Sequence, residues 1–202
     1  MRRLYSITLI IGVTLLVGLF SAPVNGRMRL PSDTPDSKIM NMHPKDIDAS
    51  LLPLDSIEDL HTTGSPQKVD IKTWQLEVSG PMVKNPRSLS YQDLLQMQTV
   101  RKKVILICPG FFVDHAEWEG VPLSTILEAV ELKGNYEKIT FRGLDGYSSS
   151  FSRDEVEHNL LFLALRVNGK TISEEHGFPV RLVAEDILGG RWVKWIKSIE
   201  VK

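Results

Sequence analysis

The sequence predicts an α+β fold, a mostly antiparallel or mixed β-sheet carrying short helices. Three observations predict it. Apolar or alternating runs that suit strands recur from Trp74 to Val201. The helical stretches between them are brief and open on Ser or Pro. Turn signals, among them Asp145-Gly146-Tyr147 and Asn168-Gly169, separate the runs at hairpin distances.

The first residues stand apart from that fold. Met1-Arg2-Arg3 is a basic start, and Ile7 to Phe20 is an apolar run too short for a comfortable membrane span. Val24-Asn25-Gly26 supplies a cleavage site before Arg27. Residues 1–26 are therefore expected to be a signal peptide and the protein to be periplasmic, with an uncleaved anchor as the alternative. No stable membrane span is expected after processing. Arg2-Arg3 reads first as an ordinary basic start and second as a degenerate twin-arginine signal. Residues 27–67, rich in Pro, Asp, Ser and Met without a period, read as a linker or an arm lying over the domain. Order is expected to begin near Val69, with one domain over residues 68–202.

In that domain Trp74, Leu76 and Val78 alternate with polar residues, the mark of a half-buried strand. Ser90 with Asp93 forms a capping box for a helix from Tyr91 to Met97. Val104 to Cys108 is a buried strand that Pro109-Gly110 ends abruptly. Pro109 to Gly120 reads as a long aromatic loop, and a helix opens at Val121-Pro122-Leu123. Lys138 to Arg142 is a strand, and Ser152 with Glu155 caps one or two helical turns. Leu160 to Val167 reads as a central strand returning through Asn168-Gly169 to Ile172, and Val180 to Val183 and Ser198 to Val201 complete the sheet.

Composition narrows the function classes. The chain is 42% hydrophobic and 24% charged, ordinary for a globular protein able to bury a core. A net charge of −1 offers no footprint for nucleic acid. The single cysteine, Cys108, excludes an intramolecular disulfide. No Walker or Rossmann glycine loop, serine nucleophile elbow or zinc-spaced His/Cys set is present.

From residues alone two readings of Cys108 stand even: a small buried hydrophobe, or a metal ligand at a strand tip opening into a loop. His176-Gly177-Phe178-Pro179-Val180-Arg181 brackets a sharp turn that would fix His176 and aim Arg181. Arg181 with Lys194, and Arg191 beside them, offers a phosphate clamp; the plainer reading is surface cations. Asp145 reads first as a turn residue, His115 as a solvated loop histidine, and His61 and His158 as lacking any metal-site spacing.

Taken in order, several motifs line up: Trp74-x-Leu-x-Val-x-Gly80, Leu-x-Cys108-Pro-Gly, Trp118-x-Gly-Val-Pro-Leu123, Asp145-Gly-Tyr147, Val167-Asn-Gly169, His176-Gly-x-Pro-x-Arg181 and Val193-Lys-Trp195. Together they resemble the molybdopterin-binding domain of the sulfite oxidase family, over roughly Lys68 to Lys202. The resemblance implies that family's fold and an oxidoreductase that passes an oxygen atom to or from a small substrate. It implies a molybdenum ion held by one molybdopterin, with Cys108 as the protein's thiolate ligand. The pterin phosphate would fall to His176, Arg181 and Lys194, with Arg191 near them and Asp145 at the amine edge of the pterin.

Departures from the family bear on the substrate. Sulfite oxidases carry arginines after the metal-binding cysteine that draw in an anion, and Pro109-Gly110-Phe111-Phe112-Val113 carries none. Leu165 stands where the family has an active-site tyrosine. A neutral S-oxide or N-oxide therefore suits the pocket better than sulfite. A cytochrome or a quinol-linked subunit is the expected electron partner. Two other classes remain: an exported binding module of the same fold without metal or catalysis, and a thiol hydrolase built on Cys108 and His176.

Overall fold

The computed structural model describes residues 26–202. The expected signal peptide, but for Gly26, lies outside the described residues. The arm that follows is more ordered than its sequence predicts. β1 (Met28–Arg29) pairs in parallel with β2 (Ile47–Asp48), and α1 (Asp36–Ile39) lies between them. Leu30, Ile39, Ile47 and Leu52 pack on Ile105, Ile107 and Val113 of the main domain as a separate apolar cluster. Their irregular spacing hides this packing from a periodicity argument.

β3 (Gln75–Ser79) buries Leu76 and Val78 and exposes the residues between, as its alternation predicts. β4 (Arg87–Ser90), which the sequence pattern does not announce, pairs with it antiparallel. α2 (Tyr91–Gln96) opens on Ser90 with both capping-box bonds formed. β5 (Val100–Cys108) ends at the cysteine.

The stretch after Cys108 differs from its sequence reading. It is not a long loop but β6 (Phe112–Pro122), antiparallel to β5 through a tight turn. Asp114, His115 and Glu117 disguise the strand, because a strand buried on both faces seldom carries them. Asp114 and His115 are nonetheless buried, each with partners from the segment before β3.

α3 (Leu123–Val130) starts after Pro122 and buries Leu123, Ile126 and Val130. β7 (Lys138–Gly143), β8 (Ser148–Ser152) and α4 (Arg153–His158) follow, the last with a complete capping box on Ser152. β9 (Leu161–Val167) turns through Asn168 and Gly169, both at positive φ, into β10 (Lys170–Thr171). β11 (Arg181–Ala184) and β12 (Ile196–Val201) complete the chain.

Two five-stranded sheets result. One runs β10-β9-β6-β5, with β11 also pairing β9; the other runs β4-β3-β12-β7-β8. All pairs are antiparallel except β3 with β12 and β1 with β2. One continuous core, from Leu76 and Phe141 through Trp118 to Leu163, joins both sheets and α3. No helix among the described residues is long and apolar enough to cross a membrane.

Candidate functional site

The β5–β6 hairpin carries the site on one face. Leu106 and Cys108 of β5 share that face with Phe112 and Asp114 of β6, since Cys108 pairs with Phe112 and Leu106 with Asp114. All four line a cavity of about 60 Å³. Arg181 from β11, Lys194 from the loop before β12, Gly189 and Trp192 close it on one side, and His61 and Thr63 close it on the other.

Arg181 is the most constrained of these. Only 7% of the residue is exposed, and its guanidinium lies 4.7 Å from the centre of the Trp118 ring and 5.7 Å from that of Trp192. Nη1 donates to the His176 carbonyl at 3.2 Å, but buried Nε has no hydrogen-bond partner. No carboxylate lies within salt-bridge distance among the described residues. Burial lowers its pKa to about 10, against the pull of Asp114. A buried cation with an unused donor is a site for an anion.

Lys194 joins it. Its Nζ donates to the carbonyls of Thr63 and Glu175 and sits 4.6 Å from the centre of the Trp195 ring. Burial first, and the charge of Arg181 second, lower its pKa to about 8. The His-Gly-x-Pro-x-Arg turn brings the two cations together. A Cβ on Gly177, at φ +110, would stand 3.0 Å from Arg181 Cβ and 3.1 Å from Lys194 Cβ. Only glycine lets both side chains approach. His176 is buried beside them, and burial, then Arg181 and Lys194, push its pKa down.

Cys108 is partly buried, and burial and then Asp114 raise its thiol pKa. No hydrogen bond joins it to His176 among the described residues, so the geometry does not build the thiol-hydrolase dyad. No group of three or more His, Cys, Asp or Glu able to hold a metal occurs among the described residues. A metal on Cys108 would have to bring further ligands with it.

Three expected residues lie outside the cavity lining: His176, buried behind the two cations, Arg191 and Asp145. Arg191 is committed to Glu155 and the Ser150 carbonyl and stacks 4.2 Å from the Phe151 ring centre. Asp145 is exposed and accepts the Tyr147 N–H at 3.0 Å, while its charge raises the pKa of Lys194 against the effect of burial. Leu165 is buried in the core, away from the cavity lining.

His61, which the sequence reading sets aside, and Asp114, which it does not single out, belong to the site. Asp114, 5% exposed, accepts from the His61 backbone N–H at 3.1 Å and lies 2.8 Å from its Nδ1. Burial raises the Asp114 pKa, and the His61 bonds oppose that rise. The His61 ring stacks on Phe112 with centroids 4.6 Å apart. The available signal was the alternation Phe112, Asp114, Ala116, Trp118, which places a carboxylate on an inward face.

The comparisons with known proteins follow that geometry. A nitrate reductase [NADPH] of Fusarium oxysporum is 25% identical over 81% of this chain, covering 22% of its own length. An uncharacterized oxidoreductase, YuiH, of Bacillus subtilis is 28% identical, over 70% of this chain and 71% of its own. The chain thus spans about a fifth of the nitrate reductases it matches, 22% in one and 19% in another. Among solved structures, the sulfane dehydrogenase SoxCD of Paracoccus pantotrophus superposes with a TM-score of 0.62 at 19% identity. That match covers 95% of this chain and 56% of the other, and it supports the shared fold. The family profile described as "oxidoreductase molybdopterin binding domain" matches residues 62–202, which takes in β3 to β12 and every cavity residue except His61. The chain belongs to the oxidoreductase molybdopterin-binding domain family.

Proposed function

We propose that this chain is an exported molybdenum-cofactor oxidoreductase that transfers an oxygen atom to or from a small substrate. One observation carries the reading: a strand-tip thiol, a buried cation with an unused donor and a half-buried second cation line a single cavity. The donor set fits the cofactor. Cys108 offers the soft sulfur that molybdenum takes, and Arg181 and Lys194 offer charge-assisted bonds to the pterin phosphate. His176 and Gly177 hold those two cations together. The cavity of about 60 Å³ is smaller than a pterin, so its walls would have to move apart to admit one, while Lys194 keeps one N–H beyond those given to Thr63 and Glu175.

When bound, the cofactor supplies the two-electron oxygen-transfer chemistry. The chain's own groups set what reaches it. Phe112 and Trp192 make part of the wall apolar, and Asp114 puts a carboxylate where an anionic substrate would be repelled. A neutral S-oxide or N-oxide fits those walls better than sulfite, and rapid sulfite turnover by the purified protein overturns that choice. A cytochrome or a quinol-linked subunit would exchange electrons with the centre.

The test is metal analysis of protein made in a host that synthesises the cofactor. About one molybdenum per chain with the pterin in the same sample is expected, and none after Cys108→Ser. Wild-type protein without molybdenum overturns the reading. It would favour the second one, a metal-free binding module, to which the small volume of the cavity already lends weight.

A further inference from the structure

The opposite face of the same hairpin borders a second cavity, of about 540 Å³, between the arm and β5. That volume is within the usual range for small-molecule sites. Its floor is apolar, with Ile47 of β2 and Ile105 of β5. Its charged groups are nearly all paired. Arg27 holds Asp186 at 2.9 Å, Lys102 lies 3.5 Å from Glu185, and Asp48 accepts from Arg29 at 2.8 Å. Lys103 is the one charged group of the lining without an ion-pair partner among the described residues.

His115 supplies the second observation. It is 5% exposed and stands opposite Ile105, so Lys103 is its diagonal neighbour on the same face. Its Nδ1 lies 2.9 Å from the Pro53 carbonyl, which can only accept. Nδ1 therefore carries the proton, and in the neutral ring Nε2 presents a lone pair. Nε2 has no hydrogen-bond partner among the described residues, yet it is not among their sealed, unsatisfied atoms. His115 itself lines the cavity. The carboxylates of Asp48, Glu185 and Asp186 add further acceptors around the wall.

We propose that this cavity binds a hydroxylated monocarboxylate of sugar-acid size. The carboxylate would pair with Lys103. The hydroxyls would donate to His115 Nε2 and the wall carboxylates. The carbon face would lie on Ile47 and Ile105. One unpaired cation, one histidine nitrogen without a partner, carboxylates able to accept beyond their ion pairs and an apolar floor match that combination of groups. The site is independent of Cys108 and of any molybdenum.

Amide NMR titration of the purified full-length protein tests it, with glucuronate as the probe. Saturable shifts confined to residues 47–50, 102–105, 115 and 185–186 are expected. Glucose, which lacks the carboxylate, and hexanoate, which lacks the hydroxyls, should each bind about tenfold more weakly or less. Lys103→Gln, an exposed change that leaves the core intact, should weaken glucuronate about tenfold. Cys108→Ser should bind it unchanged, which separates this site from the cofactor. Absence of saturation, equal shifts with hexanoate, or no effect of Lys103→Gln overturns the proposal.

Discussion

The β5–β6 hairpin buries its two faces in opposite ways. Toward the arm, Ile105, Ile107 and Val113 meet Leu30, Ile39, Ile47 and Leu52 in apolar packing that borders the larger cavity. Toward the cation pair, the same strands offer a thiol, a carboxylate and the Trp118 ring, and β11 adds a guanidinium with an unbonded Nε. The first face is closed chiefly by apolar packing, with Lys103 and His115 beside it at the larger cavity. The second leaves polar groups unfinished, and such groups are where a ligand gains most.

The contrast is sharpest between two arginines ten positions apart in sequence, Arg181 and Arg191. One is sealed between indoles without a carboxylate, and the other is held by Glu155 and stacked on Phe151. Arg181→Gln should cut molybdenum and pterin content by tenfold or more, about 1.4 kcal/mol at the least. Arg191→Gln should leave content within about twofold and lower stability by about 1 kcal/mol. Metal analysis with thermal melting measures both. Equal loss of cofactor in the two variants would erase the distinction between them.

The arm face is tested by Ile107→Ala. Ile107 is fully buried and packs only in the arm-side cluster. Its truncation should cost about 2–5 kcal/mol, the usual range for a buried aliphatic side chain. Residues 26–60 should become sensitive to protease, while molybdenum content per folded chain stays unchanged. If cofactor is lost in step with the arm, the two faces are coupled.

These regions also differ in how much of them the sequence discloses. The alternation at Leu76 and Val78, the capping boxes at Ser90 and Ser152 and the Asn168-Gly169 turn are local signals, and each formed as its pattern predicts. Cys108, Arg181 and Lys194 were legible because they sit in short motifs. His61 and Asp114 were not, since their pairing spans 53 positions and neither marks the other in sequence. The arm was illegible for a related reason. Its apolar residues have no period and acquire an inside only when Ile105 and Ile107 supply one.

The smallest effect is in pH dependence, and it separates folding from ligand binding at one residue. Lys194 has its pKa lowered from 10.5 to about 8, by burial first and Arg181 second. Between those values the unfolded chain holds a proton that the folded chain has released, so this group makes stability rise with pH across that window. Below about 8 the lysine is charged in both states, and folding then bears the full cost of burying the cation. An anion on Arg181 and Lys194 reverses the preference, because it needs the ammonium. Affinity for inorganic phosphate, a simple stand-in for the pterin phosphate, should therefore be greatest below about pH 8 and weaken above it. Lys194→Gln removes that titrating group and should flatten both curves. Calorimetric phosphate titrations and melting temperatures from pH 7 to pH 10 read the two trends separately. Phosphate affinity that stays level through pH 8 in the unmodified protein would mean that Lys194 takes no part in holding the anion.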